Sequence, residues 1–286
     1  MTIKKNRIIL NKGITYNGSL ATVIGYCILV IGLVACSTDN EPDASHSLPL
    51  NPHSSIFNYT MHLDGGMPTS YTTRSSATWT DGSVIYLRFL TEDDEVTGTA
   101  VYNAATDTWT VKANGEIGQT TEELGLTAYY FDGETTVSEE EGMVLLTPQT
   151  GVYSSEGIYT HPTATDIHVK TTLLPLYWRM NFRGTEGQTV TIVSSMTDID
   201  YPSFYDINYG DIAFEHKDVT LTVGSNGCTP YIYGWLANTD ENTLYVTTDA
   251  DYKRIIKSED IASGNSVYCQ LPTADNYQAA GWEKND

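Results

Sequence analysis

The side chains that could do chemistry in this chain are few and scattered. Four cysteines stand at positions 27, 36, 228 and 269, and no Cys-x-x-Cys occurs, so a thiolate zinc site is not expected. Among the six histidines, His161 and His168 are the closest pair after residue 53, and they lack a set of partner ligands. Asp166-Ile-His168 is a minimal pattern that chance supplies. Asp198-x-Asp200 and Asp249-x-Asp251 offer paired carboxylates to calcium, but neither has EF-hand spacing, and both read as solvated turns. The chain has no Gly-x-x-x-x-Gly-Lys-Ser/Thr, Gly-x-Gly-x-x-Gly, His-Glu-x-x-His or Gly-x-Ser-x-Gly. A hydrolase would also need a paired acid and base that nothing here supplies. The expectation is a non-enzyme with no cofactor and no metal centre.

Residues suited to contact rather than catalysis are easier to find. Tyr201, Phe204, Tyr205 and Tyr209 fall together in what reads as a loop, with Asp200, Asp206 and Asp211 beside them. Aromatic faces stack on sugar rings and carboxylates accept hydroxyl hydrogen bonds, so these four are candidate ligand contacts. Core packing and subunit contact remain open for them, since aromatics dominate both. Tyr231, Tyr233 and Trp235 share one strand face and read as core. Cys228 and Cys269 are either a disulfide, contributing on the order of 3–4 kcal/mol in the chain-entropy picture, or two separate thiols.

These side chains sit in a strongly acidic protein of formal charge −21. Such a surface repels phosphate backbones, which excludes nucleic acid as a partner. Residues 1–35 depart from that composition, with Lys4, Lys5, Arg7 and Lys12 and no acid. The apolar run from Val23 to Ala35 is too short to span a bilayer and fits a signal-peptide core. Its end, Leu33-Val34-Ala35-Cys36, resembles a bacterial lipobox. The resemblance implies cleavage between Ala35 and Cys36 and lipid on Cys36, which would hold the chain at the outer membrane. Asp39, Glu41 and Asp43 resemble the acidic tether of surface-exported lipoproteins of the Bacteroidetes. Residues 36–53 read as a flexible tether.

The rest is rich in the strand formers Tyr and Thr and poor in helical periodicity, so the expectation is all-β. Strands are predicted at Ile56–Leu63, Val84–Leu90, Leu124–Phe131, Met143–Thr147, Asp166–Leu174 and Leu176–Phe182, on period-2 alternation. Ala100–Tyr102 and Thr108–Lys112 flank a turn and read as a hairpin. In the second half, Thr189–Ser194, Val219–Val223, Thr229–Leu236, Thr243–Thr248, Tyr252–Ile256 and Ser266–Leu271 follow at the spacing of a β-sandwich. Two sandwich domains fit the length, 54–174 and 175–286.

Three segments carry a family resemblance. Thr78-Trp79-Thr80-Asp81-Gly82-Ser83-Val84-Ile85 is similar to the Trp-x-x-Gly-Asp-x-Ile stretch of fimbrillin-like proteins. Ala100 to Trp109 resembles their Ala-x-Tyr hairpin ending in Trp. Ala128-Tyr129-Tyr130 resembles the strand that follows, with Phe131 where Pro is common. Together with the lipobox, the chain resembles a Bacteroidetes fimbrillin-family lipoprotein. That implies two tandem transthyretin-like β-sandwich domains and a role as a fimbrial (pilus) subunit, or as an accessory or anchor lipoprotein, in adhesion at the cell surface. In shaft subunits of the family, a protease cuts after an Arg beyond the first strand, and a neighbour's strand fills the groove by β-strand addition. Here Arg74–Ser75 is the candidate cut, with Ser266–Leu271 or Tyr277–Trp282 as donor; an ordinary, uncut loop Arg is the alternative. The partners implied are other fimbrial subunits and surface glycans or proteins. The other functional reading is a surface glycan-binding lipoprotein of a polysaccharide uptake system.

Overall fold

The computed structural model describes residues 55–66, 79–91, 94–133, 135–138, 142–197, 199–236 and 241–285. Cys36 with the signal and tether, and Arg74 with Ser75, lie outside the described residues.

The described chain is nearly all β. Its first half runs β1 (Phe57–Asp64), β2 (Val84–Leu90), β3 (Glu95–Asn103), β4 (Thr108–Ala113), β5 (Thr120–Asp132), β6 (Thr136–Ser138), β7 (Met143–Leu145), β8 (Gly151–His161), β9 (Asp166–Lys170) and β10 (Leu174–Pro175). Its second half runs β11 (Trp178–Arg183), β12 (Thr189–Ile192), the one-turn helix α1 (Ser194–Thr197), β13 (Ile199–Asp206), β14 (Asp211–Glu215), β15 (Val219–Thr222), β16 (Ile232–Leu236), β17 (Glu241–Thr247) and β18 (Asp251–Lys257). A 3₁₀ turn at Ser258–Ile261, β19 (Ser266–Gln270) and β20 (Glu283–Lys284) complete it.

In the first half the sheet order is β10-β8-β5-β2-β3-β4-β1-β9, and β9 also pairs with β8. That extra pairing closes β8, β5, β2, β3, β4, β1 and β9 into a ring, so the ring has no free edge to aggregate. Its interior holds Tyr59, Met61, Ile85, Leu87, Phe89, Val111, Leu126, Tyr159 and Ile167. These are the alternating positions the strand period sends to one side. The β3–β4 turn is set by Asn103, whose Oδ1 accepts the Ala105 N–H at 2.9 Å, and by Asp107 at φ 54°.

In the second half, one sheet contains β19-β11-β16-β13-β7-β6 with β14 beside β13, and the other is β15-β12-β17-β18-β20. Trp178, Met180 and Phe182 of β11 meet Val190, Ile192, Leu244, Val246 and Tyr252 across one apolar core. The chain passes from the first core to the second between Leu173 and Trp178. One hairpin does not follow chain order. β6 and β7 come from the first half, yet β7 pairs with β13, with Val144 opposite Tyr205.

A third cluster, including Tyr86, Phe131, Val144, Val152, Tyr177 and Tyr205, joins the halves. It explains why β2 is buried on both faces, Leu87 toward the ring interior and Tyr86 toward Tyr205. The Arg88 guanidinium, bonded to Glu95, also lies 3.7 Å from Asp211 on β14.

One expectation is corrected, and one of two open alternatives is favoured. Residues 201–206 are not a loop but strand β13, paired to β14, β16 and β7. Tyr201 is 0% exposed in the second core and Tyr205 1% exposed in the joining cluster, so neither can reach a ligand. Cys228 and Cys269 are both free thiols. Arg183 on β11 pairs with Cys228 on one side and with Gln270 of β19 on the other. Two strand spacings, roughly 10 Å, therefore separate the cysteine backbones, beyond the roughly 7 Å Cα limit for a disulfide. Cys269 also lies on the core-facing side with Phe182, whereas Cys228 is only half-buried.

Candidate functional site

The N-terminal strand and its two neighbours form the part of this protein with the clearest capacity to act. In β1, Tyr59 and Met61 are buried, Phe57 and Leu63 are half-buried, and Asn58, His62 and Asp64 face out. Burying Tyr59 and Met61 contributes about 1.5–3 kcal/mol each. The strand runs antiparallel to β4, from Phe57 opposite Ala113 to Met61 opposite Trp109. It runs parallel to β9, from Thr60 opposite Asp166 to Asp64 opposite Lys170. Beyond these ladders, the Ile117 N–H donates to the Tyr59 hydroxyl at 3.0 Å, and the Thr171 N–H donates to the Asp64 carbonyl at 3.2 Å.

The exit from β1 is equally constrained. A Cβ at Gly65 would stand 1.6 Å from the Thr171 carbonyl oxygen, so only glycine fits there. Beyond the segment that carries Arg74 and Ser75, the chain is pinned again by Trp79. Its ring meets Trp109 edge-on at 4.9 Å and Tyr130 at 5.4 Å. A cut at Arg74 would thus leave β1 held by noncovalent bonds alone, between a following chain fixed at Trp79 and two strands able to pair with any replacement.

Both candidate donor segments are built into the second core. β19 pairs with β11, and Cys269 is 0% exposed. Trp282 stacks near Phe182 with ring centroids 6.5 Å apart, and its indole N–H donates to the Gln270 carbonyl at 2.9 Å. Tyr277 packs on Tyr252 at 5.6 Å.

Of the four aromatic candidates, only Tyr209 is open to solvent, at 71% exposure, with Phe204 half-buried. A different aromatic set is present, and it includes Tyr231, which the sequence suggested as core and which is half-buried just before β16. Tyr231 and Tyr268 meet with hydroxyls 3.1 Å apart, Arg179 lies 4.0 Å from the Tyr231 ring centre, and Arg183 lies 5.1 Å from that of Tyr268. Burial pushes the Tyr231 phenol up to about 12, while the hydrogen bond it donates lowers that of Tyr268. Tyr233 is buried, and the Trp235 side chain lies outside the described residues. Arg179 and Arg183 lie on one face of β11, but that β16 and β19 flank it and bring the two tyrosines beside them needed the fold.

His161 is buried, its ring edge-on to Tyr59 at 5.1 Å and its Nδ1 3.2 Å from the Gly118 carbonyl oxygen. It is a packing residue of the ring. Asp166, held by Thr163 Oγ1 at 2.6 Å and by Thr165, has its carboxyl lowered chiefly by that first hydrogen bond.

These features define an all-β protein whose first strand is an interior member of a closed ring. No family model matches the chain, and no curated protein is similar to it. Among solved structures, it is similar to the fimbrial anchor protein Mfa2 from Porphyromonas gingivalis, at 10% identity over 67% of this chain and 78% of that one, with a TM-score of 0.34. It is also similar to a fimbrial protein from Bacteroides ovatus, at 13% identity and a TM-score of 0.35, covering 75% of this chain and 48% of that one. Likenesses at these scores assign neither an activity nor a partner.

Proposed function

We infer that this chain is a cell-surface fimbrial protein of the accessory or anchor type, tethered to the outer membrane by lipid on Cys36 through residues 36–53. Its two β domains, 54–174 without the β6–β7 hairpin and 175–286 with that hairpin added to its sheet, carry adhesion rather than catalysis. The observation that carries the anchor form is that the first and the last segments of the described residues are both built into the fold. β1 is an inner strand with Met61 at 0% exposure, and β19 and Trp282 are parts of the second core. A shaft subunit needs the first strand removed and a donor strand free. An anchor needs neither and keeps its lipid.

The test is the N-terminus of the protein isolated from outer-membrane and surface-filament fractions. Acylated Cys36 in both fractions supports the anchor. A start at Ser75 overturns it and makes donor-strand polymerisation, with other fimbrial subunits as partners, the mechanism. A second reading, a surface glycan-binding lipoprotein, is favoured by one observation: exposed Tyr268 with the Arg183 guanidinium against its ring. Glycan-array binding lost in Tyr268→Ala would support that reading, and no binding by the wild type would remove it.

A further inference from the structure

We propose that His62 and His168 form a two-imidazole site for a divalent transition-metal ion, clipping β1 to β9. The two histidines are directly opposite in the parallel β1–β9 ladder. Their rings stack with centroids 5.1 Å apart and planes inclined by 26°. Both side chains are exposed. Among the described residues, no hydrogen bond occupies a ring nitrogen of either one, in contrast to His161 and His216.

The chemistry follows from that arrangement. Neutral imidazole is the common ligand for zinc, copper and nickel ions. Zinc–nitrogen bonds of about 2.0–2.1 Å in a tetrahedron place the two nitrogens roughly 3.3 Å apart. Two exposed, stacked rings reach that separation by side-chain rotation, with no backbone movement. The charges around them are mixed. Asp64 lies opposite Lys170 at one end of the pair, and Asp166 lies opposite Thr60 at the other. Glu123 lines the same shallow depression. Among the described residues, no group of three or more histidine, cysteine or acidic side chains is placed to hold a metal ion, so water completes the coordination. The site is therefore weaker and more exchangeable than a structural zinc centre.

One ligand comes from β1 and the other from β9, so the site exists only while β1 is seated. Any ion that binds the seated form in preference to the vacated one stabilises seating by mass action. The consequence for strand retention rests on the anchor reading; the site itself does not.

The experiment is a calorimetric titration of the full-length chain with ZnCl₂, alongside amide hydrogen exchange of β1. The variants are His62→Ala, His62→Gln and His168→Ala, with His216→Ala as control. The expected result is one zinc ion per wild-type or control chain, affinity at least tenfold weaker in the other three variants, and exchange in β1 slowed by zinc only where both histidines remain. All three positions are exposed at the surface, and His62→Gln keeps a polar side chain should the alanine variant fold poorly. Unchanged affinity in the His62 or His168 variants overturns the site, as does no binding by the wild type at millimolar zinc. The titration uses the intact chain, so its outcome is separate from whether the native N-terminus is Cys36 or Ser75.

Discussion

The Tyr59 hydroxyl accepts the buried Ile117 N–H at 3.0 Å, tying β1 to the connection between β4 and β5. Tyr59→Phe removes the acceptor and keeps the ring. An unsatisfied buried N–H costs about 1–3 kcal/mol. Urea denaturation of the variant should show that loss with an unchanged slope, and a loss under about 0.5 kcal/mol would remove this bond from the account of how β1 is held.

Met61 is the deepest residue of β1. Met61→Ala should cost about 2–5 kcal/mol, because the ring around it can collapse only in part. Asn58→Ala, on the outer side of the same strand, should stay within about 0.5 kcal/mol. Hydrogen exchange should report the Met61 effect first in β1 and β9.

Cys269 gives a pH signature. Burial pushes its thiol from an ordinary value near 9 to about 11. The unfolded chain loses this proton first, so stability is full below pH 9 and falls as pH rises through 11. Tyr86, pushed by burial from 10 to about 12, acts with the same sign one unit higher. Thermal melts from pH 8 to 12 should show a steady decline, flatter between 9 and 11 in Cys269→Ala. At pH 8 a thiol reagent should label half-buried Cys228 and spare Cys269 until the protein unfolds.

Tyr205 couples the halves. Its ring lies 5.2 Å from Tyr86, 5.2 Å from Tyr129 and 5.4 Å from Phe131. Tyr205→Ala should cost about 3–5 kcal/mol and split a single calorimetric transition into two. Tyr209→Ala, a few residues on and exposed, should change neither.

Where apolar residues alternate, the fold was legible. Phe57, Tyr59, Met61 and Leu63 marked β1, Ile85, Leu87 and Phe89 marked β2, and the Asn103–Asp107 turn marked β3 and β4. β8 was not anticipated. Its apolar residues come as adjacent pairs, Val152-Tyr153 and Ile158-Tyr159, around Ser-Ser-Glu-Gly, which erases the period of two. β13 read as a loop because Pro202 and the aspartates at 200 and 206 are turn residues. The strand tolerates them with a register shift between Pro202 and Phe204 and with cover on both sides. Nothing local could place His168 against His62, or Arg183 between Cys228 and Gln270. Those neighbours exist only once distant strands have paired.

The β6–β7 hairpin has a consequence for the order in which the molecule can be made. Synthesis delivers residues from the N-terminus, and the partner of Val144 is Tyr205, about 60 residues later. The ring has every one of its strands by Lys170, so it can close early. The hairpin then waits beside a finished neighbour with a bare apolar edge. Until β13 emerges, that edge is as ready to pair with a second nascent copy as with its own chain.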